Sequence, residues 1–145
     1  MDKQEKQKVY AILDWAKQQI EICLENKQKV ENIYPGSIYF ASLGIGIGSE
    51  QAKDRPVLVI DSYKTSSVCI VVPLTSERLN DNKSYHIDLS NNVGTVLLEQ
   101  IRAISKTRIT SAKVNGRYLR ITEEERSQIN EQLAKICQIK YLQKY

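Results

Sequence analysis

The spacing of apolar and polar positions changes at Pro35-Gly36. Before that point, from residue 7 to about residue 27, Val9, Ile12, Leu13, Ala16, Ile20, Cys23 and Leu24 recur every three or four positions. Glutamine, lysine and acidic residues fill the intervals. Residues three and four apart share one side of a helix, so this spacing predicts an amphipathic helix with an apolar stripe that needs a surface to bury against.

From Ser37 onward the apolar runs are short, rich in β-branched residues and separated by turn formers. Ile38-Tyr39-Phe40, Pro56 to Asp61 and Ser67 to Pro73 read as strands, the last two split by Tyr63-Lys64-Thr65-Ser66. Arg78 to Ser84 is polar and reads as a loop. Tyr85 to Leu89 alternates, Asn91-Asn92 with Gly94 makes a turn, and Thr95 to Gln100 reads as a strand. Ile101 to Ile109 continues extended or as a bent strand. Thr122 with Glu125 three residues later is a capping box. It predicts a C-terminal helix running to about Tyr141, with Ile129, Leu133, Ile136, Cys137 and Lys140 on or beside one face. Helix, short antiparallel strands, helix is the order of an α+β fold around a small, strongly bent sheet. The expected organisation is a helical extension over residues 1–34 and one compact domain over residues 35–145.

Composition adds class more than function. The 145 residues, 41% hydrophobic and 26% charged, suffice for one core. The net charge of +4 is mild, but between Glu99 and Arg120 six cations stand against one acid, a distribution that suits a solvated face or a polyanionic partner. Cysteines 23, 69 and 137 are far apart and in no metal or redox spacing; Cys69, within the run Val68 to Val72, reads as a small buried hydrophobe. Met1 to Lys8 is polar and no apolar run reaches bilayer length, so the expected location is cytoplasmic.

The candidate chemistry gathers around Gly44-Ile45-Gly46-Ile47-Gly48. This loop delivers Ser49, Glu50 and Gln51, then Arg55-Pro56 at the mouth of a strand. The third glycine is misplaced for a dinucleotide fingerprint and a strand follows instead of a helix; no Gly-Lys-Ser/Thr closes a P-loop. An arginine beside a proline at a loop-to-strand junction is a fixed charge suited to gripping a phosphate. Local sequence equally allows Arg55 to pair with Asp54 or Asp61, Glu50 to be an ordinary loop carboxylate, and Thr75 and Ser76 to finish a strand through backbone hydrogen bonds. The single histidine, His86, excludes a two-imidazole acid–base pair and reads as structural or peripheral to a substrate. Asp81, Asp88 and Glu99 stand apart, so a nuclease built from this chain would be expected to work without metal, and no cofactor is implied. No Ser-His-Asp or Cys-His arrangement offers acyl-transfer chemistry.

Four blocks occur in order between Gly36 and Ile109, about half of the chain. They are Gly36 to Leu43, Gly48 to Ile60 with its Arg55-Pro56, Val71-Val-Pro-Leu-Thr-Ser76, and Val96 to Ile109 with its Leu-Glu-Gln-Ile-Arg. In sequence and approximate spacing they resemble the MazF/PemK family of toxin endoribonucleases. The resemblance implies an SH3-like bent β-barrel of the CcdB/MazF type with a C-terminal helix, to which this chain adds its N-terminal helix. It further implies a homodimer that cuts single-stranded RNA at short sequences without metal, silenced by an antitoxin whose disordered tail fills the RNA groove. Carried over by motif, Arg55 corresponds to the principal catalytic arginine and Thr75 to the active-site threonine. Glu50 and Gln51 would line the same groove, and Glu99 and Gln100 match a block that contacts RNA or moves protons. Ser49, Gln51, Ser76, Glu99, Gln100 and Arg102 are therefore the candidate RNA contacts.

Metal-free cleavage can use the RNA 2′-hydroxyl as nucleophile, leaving a 2′,3′-cyclic phosphate and a free 5′-hydroxyl. Arg55 and Thr75 would stabilise the charge gathering on the non-bridging oxygens, and Glu50 is the expected base because arginine almost never deprotonates. Ser37 replaces the aspartate, and Ala103-Ile104-Ser105 the Thr-Ile-Asp, common in the family. The N-terminal helix is expected to pack on the barrel, extend the dimer or lie near the RNA groove. The alternative function on the same fold is a gyrase-directed toxin of the CcdB type or a catalytically silent nucleic-acid binder.

Overall fold

The computed structural model describes residues 1–77 and 80–138. In chain order the elements are α1 (Lys3–Glu25), β1 (Ser37–Ser42), β2 (Asp54–Ser62), β3 (Val68–Thr75), β4 (His86–Asp88), β5 (Thr95–Leu97), β6 (Arg102–Ser105), β7 (Ile109–Ser111), β8 (Leu119–Arg120) and α2 (Glu123–Ile136). Lys140 and Tyr141, expected on the last helix, and Arg78 of the polar loop lie outside the described residues.

All strand pairs are antiparallel, in the order β4-β5-β3-β2-β1-β7. Two strands change partner along their length. β3 holds β6 through Val68 to Val71 and β5 through Leu74 and Thr75. β1 holds β8 through Ser37 and Ile38 and β7 through Phe40 and Ala41. Splitting partners in this way curls the sheet, and bulges between Val59 and Asp61 and between Phe40 and Ala41 add local bend.

Both faces of the curled sheet are apolar because the strands alternate into two layers. Leu58, Val72 and Leu74 join Ile38, Val96, Leu98 and, from α2, Ile129 in one buried cluster. Val57, Val59 and Val71 join Tyr39, Ile104 and Ile109 in the other, which also takes in Cys69. α2 closes the first cluster. Its capping box is formed as expected, with Glu125 N–H donating to Thr122 Oγ1 (3.1 Å) and Thr122 N–H to Glu125 Oε1 (2.9 Å).

Three expectations need correction. The strand starting at Thr95 stops at Leu97, and Leu98–Gln100 is a tight 3₁₀ turn. The turn carries Leu98 into the same buried cluster as Val96 and leaves Glu99 exposed. Ile101 to Ile109 is likewise broken at Lys106–Arg108, where Ser105 Oγ accepts from Thr107 N–H (3.3 Å). Ser105, a departure from the family pattern, thus shapes a turn.

The third correction concerns α1. It begins earlier than its apolar stripe because Asp2 and Glu5 form their own capping box, both bonds 2.8 Å. Its apolar stripe does not pack on the sheet. Only Trp15, Gln18 and Ile22 are half-buried along this helix, on the side away from the stripe. Gln18 Nε2 lies 3.4 Å from Ser42 Oγ, and the Arg108 guanidinium stacks 5.4 Å from the Trp15 ring. The indole presses on Gly44, where a Cβ would come within 2.6 Å of it; at φ +84° only glycine is comfortable there on both counts. Among the described residues no helix is long and apolar enough to cross a membrane.

Thr122→Ala removes one half of the α2 cap and is expected to lower stability by about 1 kcal/mol. A urea midpoint that falls with an unchanged slope would show this; an unchanged midpoint would mean that the cap contributes nothing.

Candidate active site

The register of β2 on β3 sets the site. Val57 pairs with Pro73 and Leu58 with Val72. Extended two residues toward the glycine loop, the same register sets Arg55 across from Thr75, and side chains directly opposite in an antiparallel pair share a face. The two line one open cleft of about 360 Å³ together with Gln51, Ser76 and Glu77. An adjoining cleft of about 620 Å³ is lined by Ser49, Glu50, Gln51, Glu99, Gln100 and Arg102. Gln51 borders both. Every residue singled out from sequence as catalytic or RNA-contacting therefore lies on one of two neighbouring clefts, with Arg55 and Thr75 in the smaller and Glu50 in the larger.

Arg55 is held by neutral acceptors. Its Nε donates to the Ala52 carbonyl (2.6 Å), and its Nη1 donates to the Leu74 carbonyl (3.4 Å) and the Gln51 side-chain oxygen. Among the described residues no carboxylate lies within 4 Å of the guanidinium, so the pairing with Asp54 or Asp61 that local sequence allowed is not made. Partial burial pushes Arg55 below the usual arginine value, and the more distant Glu77 carboxylate works in the opposite direction. The result is an oriented, charged fork with no carboxylate paired to it at close range.

Thr75 is buried but for its edge, and its Oγ1 accepts from Glu77 N–H (3.3 Å). That bond leaves the hydroxyl proton free to donate into the cleft. Behind it sits Gly94, with φ +139°, where a Cβ would lie 2.7 Å from the Thr75 carbonyl oxygen. Sequence placed Gly94 only in a turn; its closeness to Thr75 depends on β3 pairing with β5, which no local pattern announces.

The wall of the larger cleft is built by one amide. Gln100 Oε1 accepts from Gln51 N–H (2.6 Å) and Gln100 Nε2 donates to the Ser49 carbonyl (3.1 Å), tying the loop to the turn at residues 98–100. Glu50 Oε2 accepts from Ile47 N–H (2.8 Å), which folds the loop tip back on itself. Glu99 is fixed by the buried His86 ring, whose Nε2 is 2.7 Å from Glu99 Oε1 and whose Nδ1 is 2.5 Å from Asp81 Oδ2. Sequence read His86 as structural or peripheral; it braces a cleft-wall carboxylate. Glu77 was missed altogether. It follows Thr75-Ser76 directly and enters the cleft because the chain turns away from β3 there.

The basic stretch divides by location. Lys106 is buried with its Nζ on the Tyr63 carbonyl (2.5 Å), Arg108 bonds the Ser42 carbonyl (3.3 Å) and stacks on Trp15, and Lys113 lies over the Tyr118 ring. Of its six cations, only Arg102 lines either cleft.

An antiparallel curled sheet with a covering C-terminal helix, presenting an arginine outside any close ion pair and a threonine in one open polar cleft, defines a class of small mixed α/β proteins. The chain belongs to the family of PemK-like, MazF-like toxins of type II toxin-antitoxin systems, whose model matches residues 34–137. It is 36% identical over 84 residues to Endoribonuclease EndoA of Bacillus subtilis (strain 168), covering 52% of this chain and 72% of that protein. In fold it resembles MazF (Form-I) from Deinococcus radiodurans, with a TM-score of 0.62 at 16% identity over 74% of this chain and 97% of that one. The MazE-MazF structure (Form-II) from Deinococcus radiodurans gives 0.57 at 16% identity, over 74% and 96% of the two chains. An endoribonuclease from mycobacterial species gives 0.54 at 19% identity, over 75% and 95%. The extension over α1 lies outside the matched residues.

The His86 contact holds the Asp81 carboxyl below its ordinary value of 3.8. A carboxyl depressed on folding contributes stability above its unfolded value and loses it as pH falls through the folded one. Asp81→Asn is therefore expected to flatten the acid limb of the stability profile below about pH 4, read from urea midpoints. Superimposable limbs for parent and variant would remove Asp81 from that balance.

Proposed function

We propose that this protein is the toxin of a type II pair and cuts single-stranded RNA at short preferred sequences without a metal ion. The observation that carries the proposal is the pairing of Arg55 and Thr75 in one open cleft, with no carboxylate on the guanidinium. The name of the Bacillus subtilis relative, an endoribonuclease, supports the reaction class. The MazE-MazF neighbour supports an antitoxin partner, which would occupy the same clefts as RNA. We read the curled sheet as an SH3-like barrel, residues 35–145 as the toxin domain acting as a homodimer, and residues 1–34 as an extension.

In this reading the scissile phosphate sits between Arg55 and Thr75. The 2′-hydroxyl of the preceding nucleotide attacks phosphorus, the bond to the 5′-oxygen breaks, that oxygen takes a proton from water to become the 5′-hydroxyl, and a 2′,3′-cyclic phosphate forms. Arg55 takes the charge developing on the non-bridging oxygens and Thr75 donates a further hydrogen bond. Because both donors are already oriented, little reorganisation is needed in the transition state. Glu50 receives the 2′-hydroxyl proton. Gln51, which borders both clefts, Ser49, Ser76, Gln100 and Arg102 hold neighbouring nucleotides, and Glu99 accepts from base edges.

One observation favours a second choice of base. Glu77 shares the smaller cleft with Arg55 and Thr75, whereas Glu50 lines the larger one. Glu50→Gln and Glu77→Gln separate the two: the true base variant loses turnover and the acid limb of its pH–rate profile, and the other retains both.

Arg55→Ala is expected to lower cleavage of an unstructured transcript by at least about 10²-fold with the fold intact, and Thr75→Ala by less. Full activity of folded Arg55→Ala would remove the proposed catalyst. Defined cuts carrying 5′-hydroxyl ends are expected in the presence of EDTA. Inhibition by chelator would point to a metal-dependent reaction, and RNA binding without cleavage would identify a silent binder.

A further inference from the structure

We propose that α1 is a self-association helix: the apolar stripe it turns to solvent pairs antiparallel with the same stripe of a second copy of this chain. Leu13 and Ile20 are each 59% exposed, Ile12 52% and Leu24 82%, a concentration of bare apolar surface along one helix. Val9, Leu13, Ala16, Ile20 and Cys23 follow each other at intervals of four, three, four and three. That is the spacing of a helix-pairing seam, with Ile12 and Leu24 on its flanks.

The seam is free to pair while α1 stays docked. Trp15, Gln18 and Ile22 hold the helix to its own sheet from the opposite side. None of the α1 residues lines the clefts around Arg55 and Glu50, so the contact is separate from the proposed reaction. It also lies outside residues 34–137, the part matched by the family.

Charge selects the occupant and its direction. Lys3, Lys6 and Lys8 outnumber Glu5 in the first third of α1, while Glu21 and Glu25 are the charges of its last third, Glu25 lying 3.9 Å from Lys29 beyond the helix. An antiparallel pair lays each lysine-rich end beside the acidic end of the other copy and opposes the two helix dipoles; a parallel pair stacks like on like. With Val9 opposite Ile20 and Leu13 opposite Ala16, every contact is repeated by the twofold axis, as an isologous interface requires. The helix carries four lysines and four acids, so an anionic membrane surface has no net charge to attract.

The test uses the full chain. Leu13→Glu with Ile20→Glu is expected to weaken, at least about tenfold in sedimentation equilibrium, the association that α1 adds to the toxin-domain homodimer proposed above, because two carboxylates from each copy would be buried in the seam. Unchanged far- and near-ultraviolet circular dichroism would certify the fold. Unaltered self-association in that folded variant overturns the proposal. Direction is read by disulfide trapping in a Cys23→Ser, Cys137→Ser background. Mixed Val9→Cys and Ile20→Cys chains are expected to cross-link to each other. Two Val9→Cys chains are not, being about 17 Å apart along the axis of an antiparallel pair. Predominant Val9→Cys self-linking, or co-sedimentation of the chain with anionic vesicles, likewise overturns it.

Discussion

Val57 faces Pro73 and Leu58 faces Val72 across the β2–β3 pair, and this register is the constraint on which the rest of the molecule depends. Alternate residues of the two strands feed separate apolar layers, both almost fully buried. A slip of one residue would turn each of those side chains to the wrong layer, so burial on two faces locks the pairing. Arg55 and Thr75 lie just beyond the locked stretch and inherit its alignment. A polar site at the end of a buried strand pair is placed with core accuracy without itself being buried in the core.

The glycine loop depends on that frame rather than on its own sequence. Gln100 binds the loop at both Ser49 and Gln51, Glu50 folds the tip inward through Ile47, and Trp15 presses on Gly44 at the root. Arg55 is positioned by carbonyl and amide oxygens, which orient a guanidinium without a close ion pair. A carboxylate would have held it as well and spoiled it as an anion receptor. The carboxylate at the far wall, Glu99, is instead anchored by His86, the single histidine of the chain.

α1 links this chemistry to the outside. Its docked side, through Trp15, contacts the root of the loop and Arg108, while its seam faces away from the sheet. The helix thus rests on the root of the glycine loop with one side and leaves an apolar, charge-graded seam on the other.

Much of this was legible from sequence. The two helices, the strands at residues 37–42, 54–62 and 68–75, and the α2 cap follow from local periodicity and capping chemistry, which depend on near neighbours. The four blocks marked the family, and with it the candidates Arg55, Thr75 and Glu50 through Arg102. Tertiary structure decided what local pattern cannot carry: that Leu98 leaves the strand for the core, that Glu77 and Gly94 crowd Thr75, and that His86 braces Glu99. It also decided that α1 docks through Trp15, Gln18 and Ile22 and turns its apolar stripe outward. Periodicity reports that a stripe exists, but only the shape of the neighbouring surface determines which side of a helix it accepts.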